Sequence, residues 1–445
     1  MPNDLMTQTV EGDRIAYRHI QGDIPLDLAD GTFISITRNP ALRIYALGFQ
    51  PAKSIPEIPR WFLHKYAGEP KVVLDPFAGS GTTIIEALQQ NCPAYWLDYH
   101  PLSRLICRVK TTEISPEEVL EAASKTIGNA AGRDNAPTTV NFSNKDFWFQ
   151  KPVQEGLELL KHYILKASPR NQPLLWLAFA STVRKTSNMN DGMLLAARRP
   201  HIEKIPERSR EDVLEYFKFY VNKAIEAAVE WYPFLQKSRG EAKELPLGDA
   251  KSLDGLFRCD AIATSPPYIN AIDYVWASKF ELHWLGLVKN DAERLELYSR
   301  EIGTERIPRK ECKELGKTGH SYLDSLIEDI YTGRKYKASR GQNELRARVV
   351  YKYFTDMRNH FISSWAHLRS GGYYCFSIGD ASRICGVEIP VASLLAEIAC
   401  ELGFREKERF HILLKNRRLN IPRNVDWART IKHDTTIVLE KPDES

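Results

Sequence analysis

Residues 71–98 carry two short apolar runs that each close on an aspartate, Lys71-Val-Val-Leu-Asp75 and Ala94-Tyr-Trp-Leu-Asp98. Between them a turn, Pro76-Phe-Ala-Gly79-Ser-Gly81, leads into a helix-like stretch over 82–88. The spacing of the two acids, about 20 to 25 residues, suits a single strand–helix–strand unit. Further buried strands are predicted over 260–264 and 373–378, the second introduced by Gly371-Gly372 and followed by a helical pattern over 391–402. Near the end, 409–415 and 435–440 read as two β-rich segments with no helix pattern between them, which suits an antiparallel pair. The expected fold is therefore α/β, with a doubly wound, mostly parallel sheet and an antiparallel edge hairpin.

Two stretches break the alternation. Residues 113–240 show helical periodicity, while 286–345 are polar, charged and poor in β-formers, so both are predicted as insertions. The chain then divides into 1–112 with the glycine turn, a mainly helical insertion at 113–240, a strand and proline turn at 241–285, a second insertion at 286–345, and a closing part of the sheet at 346–445.

With 445 residues, 43% hydrophobic and 27% charged, and 25 each of glycine and proline, the composition excludes fibrous and largely disordered chains. No apolar run approaches the ~18 residues of a membrane span. Asp4, Glu11 and Asp13 interrupt the first twenty residues, so no signal peptide is visible, and a soluble, cytoplasmic protein is expected. The seven cysteines are scattered without any Cys-x-x-Cys, which points to reduced thiols and to neither a disulfide framework nor a metal site. A net charge of +4 argues only weakly for a polyanionic partner, so a nucleic-acid surface would need local clustering.

In the turn Asp75-Pro-Phe-Ala-Gly79-Ser-Gly81-Thr-Thr83, glycines let backbone pass close to a ligand between a strand end and a helix N-terminus. No lysine follows the glycines, so it is not a phosphate loop. Ile84 occupies the third glycine position of a dinucleotide fingerprint, so it fits that motif poorly. Asp98 is placed to accept from ribose hydroxyls, and a nucleoside cofactor suits both features. Farther along, Thr264-Ser265-Pro266-Pro267-Tyr268 follows a predicted strand, and consecutive prolines stiffen that turn. The Pro266 carbonyl and the Ser265 hydroxyl offer acceptors suited to an exocyclic amine, and Tyr268 offers a ring on which a planar base can stack.

Together the two motifs resemble the S-adenosylmethionine-dependent amino-methyltransferases of DNA bases, and Ser at the head of the second turn is most like the cytosine-N4 enzymes. That resemblance implies a Rossmann-like class I methyltransferase fold with S-adenosylmethionine as cofactor and no metal. Its cofactor loop corresponds to Asp75, Pro76, Phe77, Ala78, Gly79, Ser80, Gly81, Thr82 and Thr83. Gln50-Pro-Ala-Lys53 is similar to the segment over the methionine part, and Gly248-Asp249 looks like the carboxylate that meets the adenine amine. The catalytic turn corresponds to Ser265, Pro266, Pro267 and Tyr268, acting on a base rotated out of double-stranded DNA. The resemblance covers roughly 43–112, 245–285 and 350–440, with the cofactor loop ahead of the catalytic turn. It further implies restriction-modification, a companion endonuclease and a nucleoid-associated, prokaryotic-type location. Adenine N6 is the alternative target, and an RNA base a less favoured one.

Phosphate contacts are expected from local basic runs: Lys415-Asn-Arg-Arg-Leu-Asn-Ile-Pro-Arg423, and Arg334, Lys335, Lys337, Arg340, Arg346 and Arg348. Trp148, Phe149, Arg184, Lys185 and Asn188 in the first insertion are candidate DNA contacts, although aromatic residues so placed more often pack inside.

Overall fold

A computed structural model describes residues 5–443 except 11–12, 69–70, 136, 191–192, 197–204, 247, 254, 256, 270–271, 340, 415–430 and 432. Its strands are β1 (Leu5–Val10), β2 (Asp13–Gln21), β3 (Thr32–Thr37), β4 (Val73–Asp75), β5 (Ala94–Trp96), β6 (Ala242–Glu244), β7 (Cys259–Thr264), β8 (Leu368–Gly379), β9 (Ala381–Ile384), β10 (Val387–Pro390), β11 (Arg405–Leu413) and β12 (His433–Glu440). Ten of them form one sheet in the order β1-β2-β3-β11-β12-β8-β7-β4-β5-β6, and β9 and β10 form a separate hairpin. From β8 through β7, β4 and β5 to β6 the pairing is parallel. β12 lies antiparallel between β8 and β11.

Side chains alternate across this sheet with a period of two, so each strand feeds both faces. Val73, Ala261, Ala263, Cys375 and Val438 face one core, whereas Leu74, Ile262, Tyr374, Phe376, Ile437 and Leu439 face the other. The first core is closed by the helices Thr82–Gln89 and Pro101–Thr111 together with the helices of the first insertion. The second is closed by Gln342–His367, Val391–Glu401 and Ser321–Thr332. Burial on both faces explains why these strands read as near-continuous apolar runs.

The predicted elements are found where the patterns put them, with β4, β5, β7, β8, β11 and β12 and the helices after β4 and ahead of β11 all present. In the first insertion, the helices Pro116–Ala131, Lys151–Ile164, Gln172–Thr186 and Arg210–Lys237 bury their apolar sides in the same cluster as Ile84, Ile85 and Ile106. The longest begins at a capping box of Ser209 and Asp212. Near its other end Trp231 is buried and donates from Nε1 to the Lys110 carbonyl at 2.8 Å. Trp148 and Phe149 follow the packed alternative of the sequence reading: they lie with Phe280 and Trp284 inside the protein. Arg184 is likewise internal, over the Phe49 ring and bonded to the Ala277 carbonyl and Glu281, and Asn188 donates to the Phe147 carbonyl.

The three N-terminal strands were not foreseen. β3 pairs in parallel with β11, so Phe410, His411 and Ile412 lie opposite Thr32, Phe33 and Ile34. Ile34 is fully buried. No described helix is long and apolar enough to cross a membrane. If the N-terminal strands belong to the main fold, Ile34→Ala should cost about 2–5 kcal/mol of global stability, read as a lower midpoint of one cooperative denaturant transition. A separate early transition confined to the N-terminus would contradict it.

Candidate functional site

At β4 the sheet order reverses: chain continues to β5 on one side and reaches β7 on the other, so a crevice opens at the carboxyl ends of these strands. Both sequence motifs lie there. Asp75, the last residue of β4, accepts from the Phe77 amide at 3.1 Å and from the Thr264 hydroxyl at 2.7 Å. Thr264 ends β7, so one hydrogen bond joins the strand carrying the glycine turn to the strand carrying the proline turn. Gly79 and Gly81 have φ of +48° and +76°, conformations that glycine adopts without the Cβ penalty. A Cβ on Gly81 would stand 3.4 Å from Cys107 Sγ, so the turn also packs closely on the helix Pro101–Thr111.

Asp98 lies just beyond β5 and braces the loop from the other side. Its carboxylate accepts from the Gly79 amide at 2.8 Å and the His100 amide at 2.7 Å. Each oxygen keeps a second lone-pair direction for a hydroxyl. Burial pushes both Asp75 and Asp98 up to about 6, against the lowering effect of these hydrogen bonds. Lys110, which no motif indicated, is buried behind the loop and donates to the Ser80 carbonyl at 2.8 Å. Burial pulls its ammonium well below the usual lysine range.

In the proline turn, Ser265 Oγ donates to the Ser377 carbonyl on β8 at 3.2 Å, which leaves its lone pairs to accept. The Pro267 carbonyl accepts from Tyr353 at 3.1 Å. Tyr268 donates its hydroxyl to Asp434 on β12 at 2.6 Å. Its ring rests on the end of β8, where a Cβ on Gly379 would come within 3.1 Å of Cε2. Ser377, Tyr353, Gly379 and Asp434 escaped the sequence reading because nothing local marks them; they meet the turn only through sheet pairing and helix packing.

Ser377 and Asp434 line one cleft of about 590 Å³, together with Lys53, Asp98, Ser265 to Tyr268 and, from the second insertion, Arg300, Glu301 and Ile302. Lys53 donates to the carbonyls of Tyr45 at 3.1 Å and Gly48 at 2.9 Å, holding its own segment over the glycine turn. Gly248 packs so tightly on the loop after β5 that a Cβ there would be 2.6 Å from the Asp98 carbonyl. The neighbouring Asp249 accepts from the Lys251 amide at 3.0 Å, and it is Ala250 of this turn that lines the cleft. Among the described residues no group of three His, Cys, Asp or Glu side chains is placed to hold a metal ion.

Of the expected basic runs, 415–423 and Arg340 lie outside the described residues. The rest of the second run is largely occupied: Arg334 pairs with Asp329, Arg346 with Glu305 and Arg348 with Glu314.

Glu301 was also missed. It is 4% exposed, accepts from the Tyr274 amide at 3.0 Å, and keeps Oε2 without a hydrogen-bond partner. Burial, with Asp273 nearby, pushes it up to about 8, so it is largely neutral at pH 7.

No protein-family model matches the chain. It is similar to the Type II methyltransferase M.MvaI of Kocuria varians, 23% identical over 422 residues that cover 87% of this chain and 88% of the relative. The Type II methyltransferase M.BsoBI of Geobacillus stearothermophilus is 24% identical over 414 residues, 83% and 80% of the two chains. The Type II methyltransferase M.AvaI of Nostoc sp. is 29% identical over 149 residues, 33% and 30%. Sheet order, cleft and relatives define a methyltransferase of the class I fold that uses S-adenosylmethionine. The cleft suits that cofactor, because left-handed glycines clear the approach to a helix N-terminus and a buried acid stands at each neighbouring strand end. Over more than four fifths of its length the chain is similar to these two Type II methyltransferases, M.MvaI and M.BsoBI.

Two outcomes are expected. The folded chain binds the Glu301 proton more tightly than an unfolded chain titrating near 4.5, so the stability it contributes is full below 4.5 and is lost as pH rises through about 8. Glu301→Gln should remove that part of the decline in thermal midpoint; a variant profile parallel to wild type would show Glu301 already ionised at neutral pH. Gly379→Ala, whose Cβ would press on Ile431 at 2.8 Å and on the Tyr268 ring at 3.1 Å, should lower methyl transfer by about tenfold to a hundredfold with the far-ultraviolet spectrum unchanged, and undiminished activity would show that the packing at this end of β8 is immaterial.

Proposed function

We propose that this chain is a site-specific DNA methyltransferase that modifies the exocyclic N4 amine of cytosine. The observation that carries this is the Ser265 hydroxyl, committed as a donor to Ser377 and so available to an amine only as an acceptor, beside a cofactor loop joined to it through Thr264 and Asp75. S-adenosylmethionine, when bound, supplies an activated methyl group. The residues then have mainly to align the nitrogen and tolerate the positive charge that grows on it.

Ser265 Oγ and the Pro266 carbonyl would accept the two N–H groups and turn the nitrogen lone pair toward the cofactor side. Pro267 stiffens that carbonyl, and Tyr268, held by Asp434, gives the base a fixed stacking face. The nitrogen would form its new bond to the methyl carbon as the carbon–sulfur bond breaks, its electron pair staying on sulfur to leave a neutral thioether, and would then release a proton to solvent, with no covalent enzyme intermediate. On the cofactor side we assign Lys53, the loop from Asp75 through Pro76, Phe77, Ala78, Gly79, Ser80, Gly81 and Thr82 to Thr83, and Asp98 and Asp249. A base inside a duplex cannot reach this turn, so the nucleotide is extruded at a cost of a few kcal/mol.

We assign target recognition to the second insertion, 286–345, because Arg300, Glu301 and Ile302 reach the cleft. The relatives are named Type II methyltransferases, which supports a restriction-modification role beside a companion endonuclease in a prokaryotic cytoplasm. Mass spectrometry of nucleosides from DNA methylated by the purified chain should show N4-methylcytosine. Ser265→Ala should reduce it by about a hundredfold or more with cofactor binding retained. N6-methyladenine as the product would overturn the cytosine assignment, and an undiminished yield from the variant would remove Ser265 from its role.

A further inference from the structure

Four carboxylates line the cleft, and each is internally committed. Asp75 and Asp98 hold backbone amides and a hydroxyl, Asp434 holds Tyr268, and Glu301 holds the Tyr274 amide. The basic side chains sharing the cleft divide differently. Lys53 is spent on backbone carbonyls and His100 on Ser278, at 2.8 Å. Arg38 and Arg300 line the cleft, are exposed, and among the described residues have neither an ion pair nor a side-chain hydrogen bond.

Both arginines project from anchored backbone. Arg38 follows β3, after the buried Ser35, and the next residue, Asn39, packs so closely on Gly22 that a Cβ there would meet its Nδ2 at 2.7 Å. Arg300 donates its amide to the Leu297 carbonyl at 3.1 Å and sits between the buried Tyr298 and Glu301. Tyr298 is itself tied to Asp273 at 2.8 Å. Ordering such side chains on a ligand therefore costs rotamer freedom and little backbone freedom.

Their placement separates them. β3 and β5 stand six places apart in the sheet order, and Arg300 belongs to the wall beside the loop after β5, where Tyr99, Tyr274 and Glu301 meet. The two arginines therefore flank the cleft from different sides of the central strands, a placement that suits two phosphates of one duplex with the extruded nucleotide between.

We propose that Arg38 and Arg300 form a two-point clamp for DNA phosphates on opposite sides of the cleft mouth, which holds the duplex while its target base occupies the proline turn. This rests on the reading of duplex DNA as substrate and is independent of which amine is methylated. It also gives the N-terminal strands a task at the site, since Arg38 lies outside the stretch that carries the family resemblance.

The test is methyl transfer to unmethylated plasmid DNA across a series of salt concentrations. Each phosphate contact contributes about 0.9 to the slope of log affinity against log salt. Arg38→Ala and Arg300→Ala should each raise KM for DNA, leave kcat within about twofold and flatten the salt dependence by about one unit. The double variant should flatten it by about two units. Arg→Lys at either position should restore the slope, which a packing role would not, and cofactor affinity should be unchanged throughout. Variants with wild-type KM and wild-type salt slope would overturn the clamp alone. Failure of the wild-type chain to methylate or bind any duplex would overturn the DNA reading itself.

Discussion

The hydrogen bond from Thr264 to Asp75 is the connection on which the site depends. It crosses from the end of β7 to the end of β4 at 2.7 Å, in a place where both residues are buried. A charge-assisted bond out of water is stronger and more directional than one at the surface. It therefore sets the position of the proline turn relative to the glycine turn. Transfer from an activated sulfonium asks for alignment more than for acid–base power, so a rigid link between two strand ends is the appropriate device.

Around that link the protein surrounds the cleft with side chains whose hydrogen bonds point back into the fold. Ser265 leans on β8, Tyr268 on β12, Pro267 on the helix Gln342–His367, and Asp98 on the glycine loop. The result is preorganised: little has to be reordered when ligand arrives, and the polar groups left over face the reacting atoms. On the wall beside β5 the pattern differs. Tyr99 is half-buried, His100 and Glu301 are buried, and each retains a buried polar atom with no hydrogen-bond partner. Such groups are costly when desolvated, and they gather where the second insertion meets the cofactor edge.

Legibility followed the range of the interactions. The βαβ unit, the strand at 259–264 and the closing antiparallel pair announce themselves through apolar periodicity and glycine or proline punctuation, which are properties of neighbours in the chain. The assignments of Asp75, Gly79, Gly81 and Ser265 to one site rested on residue chemistry within a few positions, and all four are found at the same sheet edge. In the first insertion the sequence left contact with DNA and internal packing both open for Trp148, Phe149 and Arg184, and they are enclosed by Phe280, Trp284 and Glu281. Nothing in a linear pattern states which helix will cover an aromatic ring.

By itself, then, the amino-acid order determined the fold class and the glycine and proline turns at its strand ends, because glycine dihedrals, proline rings and strand alternation act over a handful of residues. Only the tertiary structure decided that β3 would extend the sheet beside β11, that Asp434 and Gly379 would seat Tyr268, and that Arg38 and Glu301 would face one cleft. Those pairings join residues more than a hundred positions apart. Their free energy comes from burial and hydrogen bonding across the sheet, which no local stretch of sequence encodes.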